Sequence, residues 1–185
     1  MTIVTKLLLA SIAYFSTKIP LVLSESDNFV TSDVEFKLIL DNVMGGISTA
    51  QLDTTEVDDT EILSFDGELS LENNGGFAMF RGYIGEQCKG YNQLHIMART
   101  DSPEREYKVL VSTLNGSGFF EIPIELEEEY KSVIIDMKDM TCQLMGWGMP
   151  WLNGPTGDRV RWVGMIVFDK NTDPFQVDIQ EIQCI

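Results

Sequence analysis

The feature that most narrows the fold is a two-residue rhythm of apolar side chains. Val34, Phe36, Leu38 and Leu40 alternate with Glu35, Lys37 and Ile39. Leu94, Ile96 and Ala98 alternate with His95, Met97 and Arg99, while Tyr107, Val109, Val111 and Thr113 share one side of a further run. Successive side chains on a strand point to opposite faces, so each run reads as a strand with one face against a core. Leu63–Leu71, Phe77–Arg81, Phe119–Leu126, Val160–Phe168 and Phe175–Ile182 read as further strands, and Val133–Met137 as a buried one. Pro123 marks its strand as an edge, because proline cannot donate to a ladder. No stretch keeps apolar residues at i, i+3, i+4 and i+7, the signature of an amphipathic helix. Short strands at regular spacing with turn signals between them predict an all-β sandwich or barrel.

Two glycine pairs punctuate this pattern. Gly45-Gly46 and Gly75-Gly76 each stand directly before an apolar run. Glycine suits positions where the backbone needs positive φ or another chain passes close. Asn73-Asn74-Gly75-Gly76, between Leu69/Leu71 and Phe77/Met79, predicts a hairpin turn. The acidic stretch from Asp53 to Glu61 reads as an exposed loop.

The residues around these pairs carry a family resemblance. Asp41-Asn42-Val43-Met44-Gly45-Gly46-Ile47-Ser48, then Phe65-Asp66-Gly67, then Leu71-Glu72-Asn73-Asn74-Gly75-Gly76-Phe77 resemble the CIA30 family, the complex I intermediate-associated protein 30 group. Arg81, Tyr107, Val163-Gly164-Met165, Asp169 and Pro174-Phe175-Gln176-Val177-Asp178-Ile179 follow in the family's order, so that the resemblance runs from roughly Ser32 to Ile182. It implies a jelly-roll β-sandwich of the galactose-binding-domain-like type. It also implies a non-catalytic role, since characterised relatives act as chaperone-like factors that hold membrane-complex subunits during assembly. The matched positions Asp41, Met44, Gly45, Gly46, Ser48, Gly67, Asn73, Asn74, Gly75, Gly76, Phe77, Arg81, Gly164 and Phe175 are expected to be structural. Asp41 is expected to cap a turn and Asp178 to lie on an edge strand.

Charge and termini bound the remaining possibilities. The 185 residues suffice for one domain, with 29 acidic against 13 basic residues and a net charge of −16. Such a surface repels phosphate backbones, so no nucleic-acid partner is expected. Residues 1–24 read as a secretory signal peptide: a basic start ending at Lys6, an apolar run from Leu7 to Phe15, and small residues before Glu25. That run is too short to span a bilayer, and no membrane span is expected once the segment is removed. Residues 25–185 then form one domain, in the secretory pathway, secreted or in an organelle lumen. A mitochondrial destination is the alternative, although residues 1–24 contain no arginine. Cys88, Cys142 and Cys184 allow one disulfide with one thiol left over, or three free thiols. Asn115-Gly116-Ser117 is a glycosylation sequon in a turn.

Few residues point to chemistry. His95 is the one histidine, so any hydrolase triad must use it as base. It sits mid-strand without a nucleophile motif beside it, and reads as an ordinary strand histidine. The histidine and cysteine spacing does not supply a zinc site; Asp53, Glu56, Asp58 and Asp59 offer the oxygen ligands that calcium takes, but follow no recognised calcium-loop pattern. No metal or cofactor is implied. Trp147 and Trp151 lie in a Gly- and Pro-rich stretch with Arg159 and Arg161 nearby. Exposed, these tryptophans would stack on a sugar ring or dock on a partner's apolar patch; buried, they plug one end of the sandwich. The arginines pair with acidic neighbours or meet an anionic partner. Three functions remain: an assembly or interaction factor for a protein complex, a carbohydrate-binding module, and an enzyme working through carboxylates. The family resemblance favours the first, with the glycan binder as the alternative.

Overall fold

A computed structural model describes residues 27–113, 118–144, 147–149 and 151–185. The described residues form strands β1 (Phe36–Leu40), β2 (Thr49–Val57), β3 (Thr60–Glu68), β4 (Ala78–Tyr83), β5 (Gln93–Thr100) and β6 (Tyr107–Thr113). They continue with β7 (Gly118–Ile124), β8 (Lys131–Asp136), β9 (Thr141–Leu144), β10 (Trp147–Met149), β11 (Val160–Val167) and β12 (Pro174–Cys184). The helical segments among the described residues are all short 3₁₀ turns, so the all-β reading holds. Seven strands form one antiparallel sheet in the order β1-β4-β11-β6-β7-β9-β10, and five form the other in the order β2-β3-β12-β5-β8.

The two sheets face each other across one core. Leu94, Ile96, Ala98 and Thr100 of β5 are buried, while the residues between them are not, as alternation requires. Phe65 of the five-stranded sheet meets Phe80 of the seven-stranded sheet edge-on, with ring centroids 5.2 Å apart, and on its own sheet it meets Phe175 at 5.0 Å. Burying one such ring stabilises the fold by roughly 1.5–3 kcal/mol. The Cys88–Cys184 disulfide ties the loop after β4 to the end of β12, and Cys142 is a buried free thiol.

Several local expectations are corrected. Asn73–Gly76 is not a hairpin turn: β3 pairs with β2 and β12, whereas β4 pairs with β1 and β11. The segment instead carries the chain from one sheet to the other. The acidic stretch 53–61 is the real hairpin, with Val57 opposite Thr60 and both Asp58 (φ 50°) and Asp59 (φ 61°) left-handed. That is the two-residue turn that matches strand twist, and aspartate tolerates it better than most residues. The strand around Val133 is an outer one, β8, paired with β5, and it is only half-buried. β7 is internal, but its pairing with β9 ends at Glu121–Thr141, so Pro123 lies beyond the neighbour's reach. Asp178 is on β12, in the middle of the five-stranded sheet, and not on an edge strand.

Candidate binding groove

The outward side of the seven-stranded sheet is built from alternate residues of six neighbouring strands. Ile166 of β11 stands between Met79 of β4 and Lys108 of β6, and Leu110 of β6 stands opposite Glu121 of β7. Phe119 faces Gln143, which faces Gly148 on β10. With no second sheet against this side, these residues border a groove of about 520 Å³. Met44, Phe77, Met79, Phe119, Ile166 and Phe168 give it an apolar lining, and Asn74, Lys108, Glu121 and Gln143 are its polar lining. Three of these polar groups are joined: Lys108 Nζ donates to Glu121 Oε1 at 3.1 Å, and Gln143 Nε2 donates to the same oxygen at 3.1 Å. Glu106 Oε1 is also 3.1 Å from Lys108 Nζ. Burial by itself would lower the Lys108 pKa, but the two carboxylates outweigh it and hold the ammonium above its ordinary value.

One end of the groove is made by the two glycine motifs, which meet around a buried carboxylate. Asp41 opens the 3₁₀ turn after β1 and is fully buried. Its Oδ1 accepts the Ser48 N–H at 3.1 Å, and its Oδ2 accepts the Ser48 hydroxyl, the Gly76 N–H at 2.6 Å and the Phe77 N–H at 3.4 Å. Ser48 Oγ in turn accepts the Ser70 N–H at 2.9 Å. A Cβ at Gly46 or at Gly75 would collide with the Asp41 side chain, so each pair keeps one position bare for it. Burial pushes the Asp41 pKa up, yet the hydrogen bonds from Ser48, Gly76 and Phe77 overcome this and hold it below the ordinary aspartate value. Asp41 is therefore the hub of a clasp rather than a simple turn cap. The clasp fixes Met44, Asn74 and Gly75 at the groove's end.

The Complex I intermediate-associated protein 30 (CIA30) family model matches residues 26–179. This chain belongs to the CIA30 family. No curated protein matches it by sequence. Its sandwich is similar to the family 11 carbohydrate-binding module of the cellulosomal cellulase Lic26A-Cel5E of Clostridium thermocellum, with a TM-score of 0.66 at 8% identity, covering 88% of this chain and 94% of that one. It is similar also to the Clostridium thermocellum family 11 module in complex with a β-1,3-1,4-mixed-linked tetrasaccharide (TM-score 0.64, 9% identity, 87% and 94% covered). A third likeness is to an exo-β-agarase, with a TM-score of 0.54 at 10% identity, covering 88% of this chain but 25% of the enzyme. At such identities the likeness concerns the fold: a jelly-roll sandwich.

In this CIA30 chain the motif residues divide into clasp, core and groove. Asp41, Gly46, Ser48, Gly75 and Gly76 form the clasp, with Gly45, Asn73 and Asn74 in left-handed conformations beside it. Gly67 lies against Thr49 and Ala50, Gly164 against the Phe80 carbonyl, and Phe175 is in the core. Met44 and Phe77 line the groove, and Arg81 stacks over Trp162 on the same face, 5.1 Å from the ring. Trp151 is 73% exposed, so it plugs nothing. Trp147 occupies β10 opposite Leu144, and its side chain lies outside the described residues, as does the Asn115 sequon. Arg159 is exposed, while Arg161 donates to the carbonyls of Asp158 and Val160 at 2.7 Å and lies 3.4 Å from Glu86 Oε1. Trp151, Arg159 and Arg161 do not line the groove. Among the described residues no group of three or more His, Cys, Asp or Glu is placed to hold a metal ion. The groove side chains that sequence reasoning missed are Met79, Lys108, Phe119, Glu121, Gln143, Ile166 and Phe168. Alternation marks most of them as outward, but nothing in one strand tells which outward face is concave.

Proposed function

We propose that this chain works by binding, as an assembly or interaction factor that holds an apolar segment of a partner polypeptide in the groove of the seven-stranded sheet. The observation that carries this reading is the lining itself. Met44 and Met79 are flexible and polarizable, and with three phenylalanines and Ile166 they suit varied apolar side chains. The rigid sheet beneath holds them in place. Membership of the CIA30 family supports the same role. The buried Cys88–Cys184 disulfide supports maturation in an oxidising compartment, in keeping with a secretory reading of residues 1–24.

A second reading, a glycan chain in the same groove, is favoured by one arrangement. Lys108, Glu121 and Gln143 form a joined polar set among aromatic rings, which is how a sugar's hydroxyls and ring faces are met. An array of apolar peptides and an array of glycans, both probed with the purified protein and its Phe119→Ala variant, distinguish the two. Binding of apolar peptides that Phe119→Ala weakens is expected. A signal confined to glycans and lost in the variant replaces the first reading with the second, and silence on both arrays overturns the groove.

A further inference from the structure

The opposite face of the sandwich holds an arrangement that binding does not require. His95 of β5 points outward between the buried Leu94 and Ile96. Ser132 on β8 and Glu181 on β12 both stand opposite Met97, so they flank the imidazole from the two neighbouring strands. His95 Nε2 is 2.7 Å from Ser132 Oγ, and His95 Nδ1 is 2.9 Å from Glu181 Oε1. The Gln183 amide lies farther from Nδ1, at 3.5 Å. An ionised carboxylate only accepts, so in the neutral ring Nδ1 carries the proton toward Glu181. Nε2 then presents its lone pair to the Ser132 hydroxyl. The His95 side chain is 16% exposed and that of Glu181 28%, whereas Ser132 is open to solvent at the margin of the sheet.

We propose that Ser132 is a nucleophile, with His95 as its general base and Glu181 as the carboxylate that positions the ring, and that it takes an acyl group from an activated carboxylic ester. Three residues from three strands reproduce the roles of an acyl-transfer triad: nucleophile, base and orienting acid. In the first step Ser132 Oγ bonds to the ester carbonyl carbon while its proton passes to His95 Nε2. The carbon–oxygen bond to the leaving alcohol breaks, and that alcohol departs with the proton from Nε2. Water, deprotonated in turn by Nε2, attacks the acyl-serine, releases the carboxylic acid and returns the proton to Ser132. Ile134, 59% exposed and two residues along β8, gives the acyl group an apolar neighbour on the same face. β8 lies at the margin of its sheet, and backbone N–H groups on such a margin are open to a developing oxyanion.

The test treats the purified protein with a fluorophosphonate probe, which forms an Oγ–P bond, loses fluoride and gives up the serine proton to the base. Peptide mass spectrometry locates the adduct. Labelling at Ser132 is expected, falling by about a hundredfold in His95→Ala. Glu181→Gln is expected to slow it by about tenfold or more, and Glu181→Asp to recover part of the loss, as orientation but not mere folding requires. Hydrolysis of p-nitrophenyl acetate is expected to follow the same order. Ser132→Ala, a change at an exposed position, should leave the thermal midpoint in place and abolish both signals. No adduct at Ser132, or an adduct formed equally fast in His95→Ala, overturns the proposal.

Discussion

On the seven-stranded sheet the outward side chains of β4, β6, β7 and β11 include Met79, Lys108, Phe119 and Ile166, and they enclose a groove. On the five-stranded sheet the outward side chains of β3, β5 and β12 include Ser64, Arg99 and Asp178, and they bind one another. Asp178 Oδ2 accepts from Arg99 Nε at 3.0 Å and Nη2 at 2.8 Å, and its Oδ1 accepts the Ser64 hydroxyl at 2.8 Å. Both faces come from the same alternating pattern. Around Asp178 the five-stranded face is closed on itself, whereas the groove leaves apolar surface and a joined polar set turned toward whatever lies in it. Cross-strand pairing thus decides where a face is apolar and concave and where its polar groups are taken up by one another.

The largest effect is expected where the two faces are fastened together. Replacing Cys88 and Cys184 by serine opens a loop with a sequence separation of 96 residues, and a loss of about 3–4 kcal/mol in urea unfolding is expected. Asp41→Ala comes next. It strands buried donors from Ser48, Gly76 and Phe77, at a cost of about 3 kcal/mol, and it should weaken groove binding by loosening Met44 and Asn74. A variant that loses stability but keeps full groove affinity would separate the clasp from the site.

Acid should act through the depressed carboxylates. Burial raises the pKa of each of Asp41, Asp169 and Asp178, but donors outweigh it: Ser48 and Gly76 for Asp41, Arg105 for Asp169, and Ser64 and Arg99 for Asp178. Each pKa lies below its unfolded value. The stability they contribute is therefore present above the ordinary aspartate range and lost as pH falls through the folded values. A urea midpoint that is flat near neutrality and falls below about pH 4 is expected, with a smaller fall in Asp41→Asn. Phe119→Ala should cost little stability, since the ring is only half-buried, yet weaken a groove ligand by about tenfold. The smallest effect on the groove is expected for Arg99→Ala on the other face. It strips two donors from the buried Asp178 carboxylate, at a stability cost of about 1–3 kcal/mol, with no change in groove binding.

The all-β class, the one shared core and the two glycine motifs were legible in the sequence. Alternation at Leu94–Arg99 and Tyr107–Thr113 fixes which side chains face inward, because the strand period is two whatever the neighbours are. Pairing was not legible. Asn73–Gly76 looks like a hairpin turn by local chemistry, and only contact with Asp41, more than thirty positions earlier, makes it a passage between sheets. The tryptophan-rich stretch drew attention by composition, while the groove came from single outward residues on separate strands.

The chain by itself determined most of the elements, the inward faces and the glycine positions, because each of these rests on local backbone geometry and on residue size, whereas the Asp41 clasp joins residues 35 positions apart. The order of the strands was decided only in three dimensions, where long-range ladders compete with one another. That order put Met79 beside Ile166 and Lys108, and brought Ser132 and Glu181 to either side of His95.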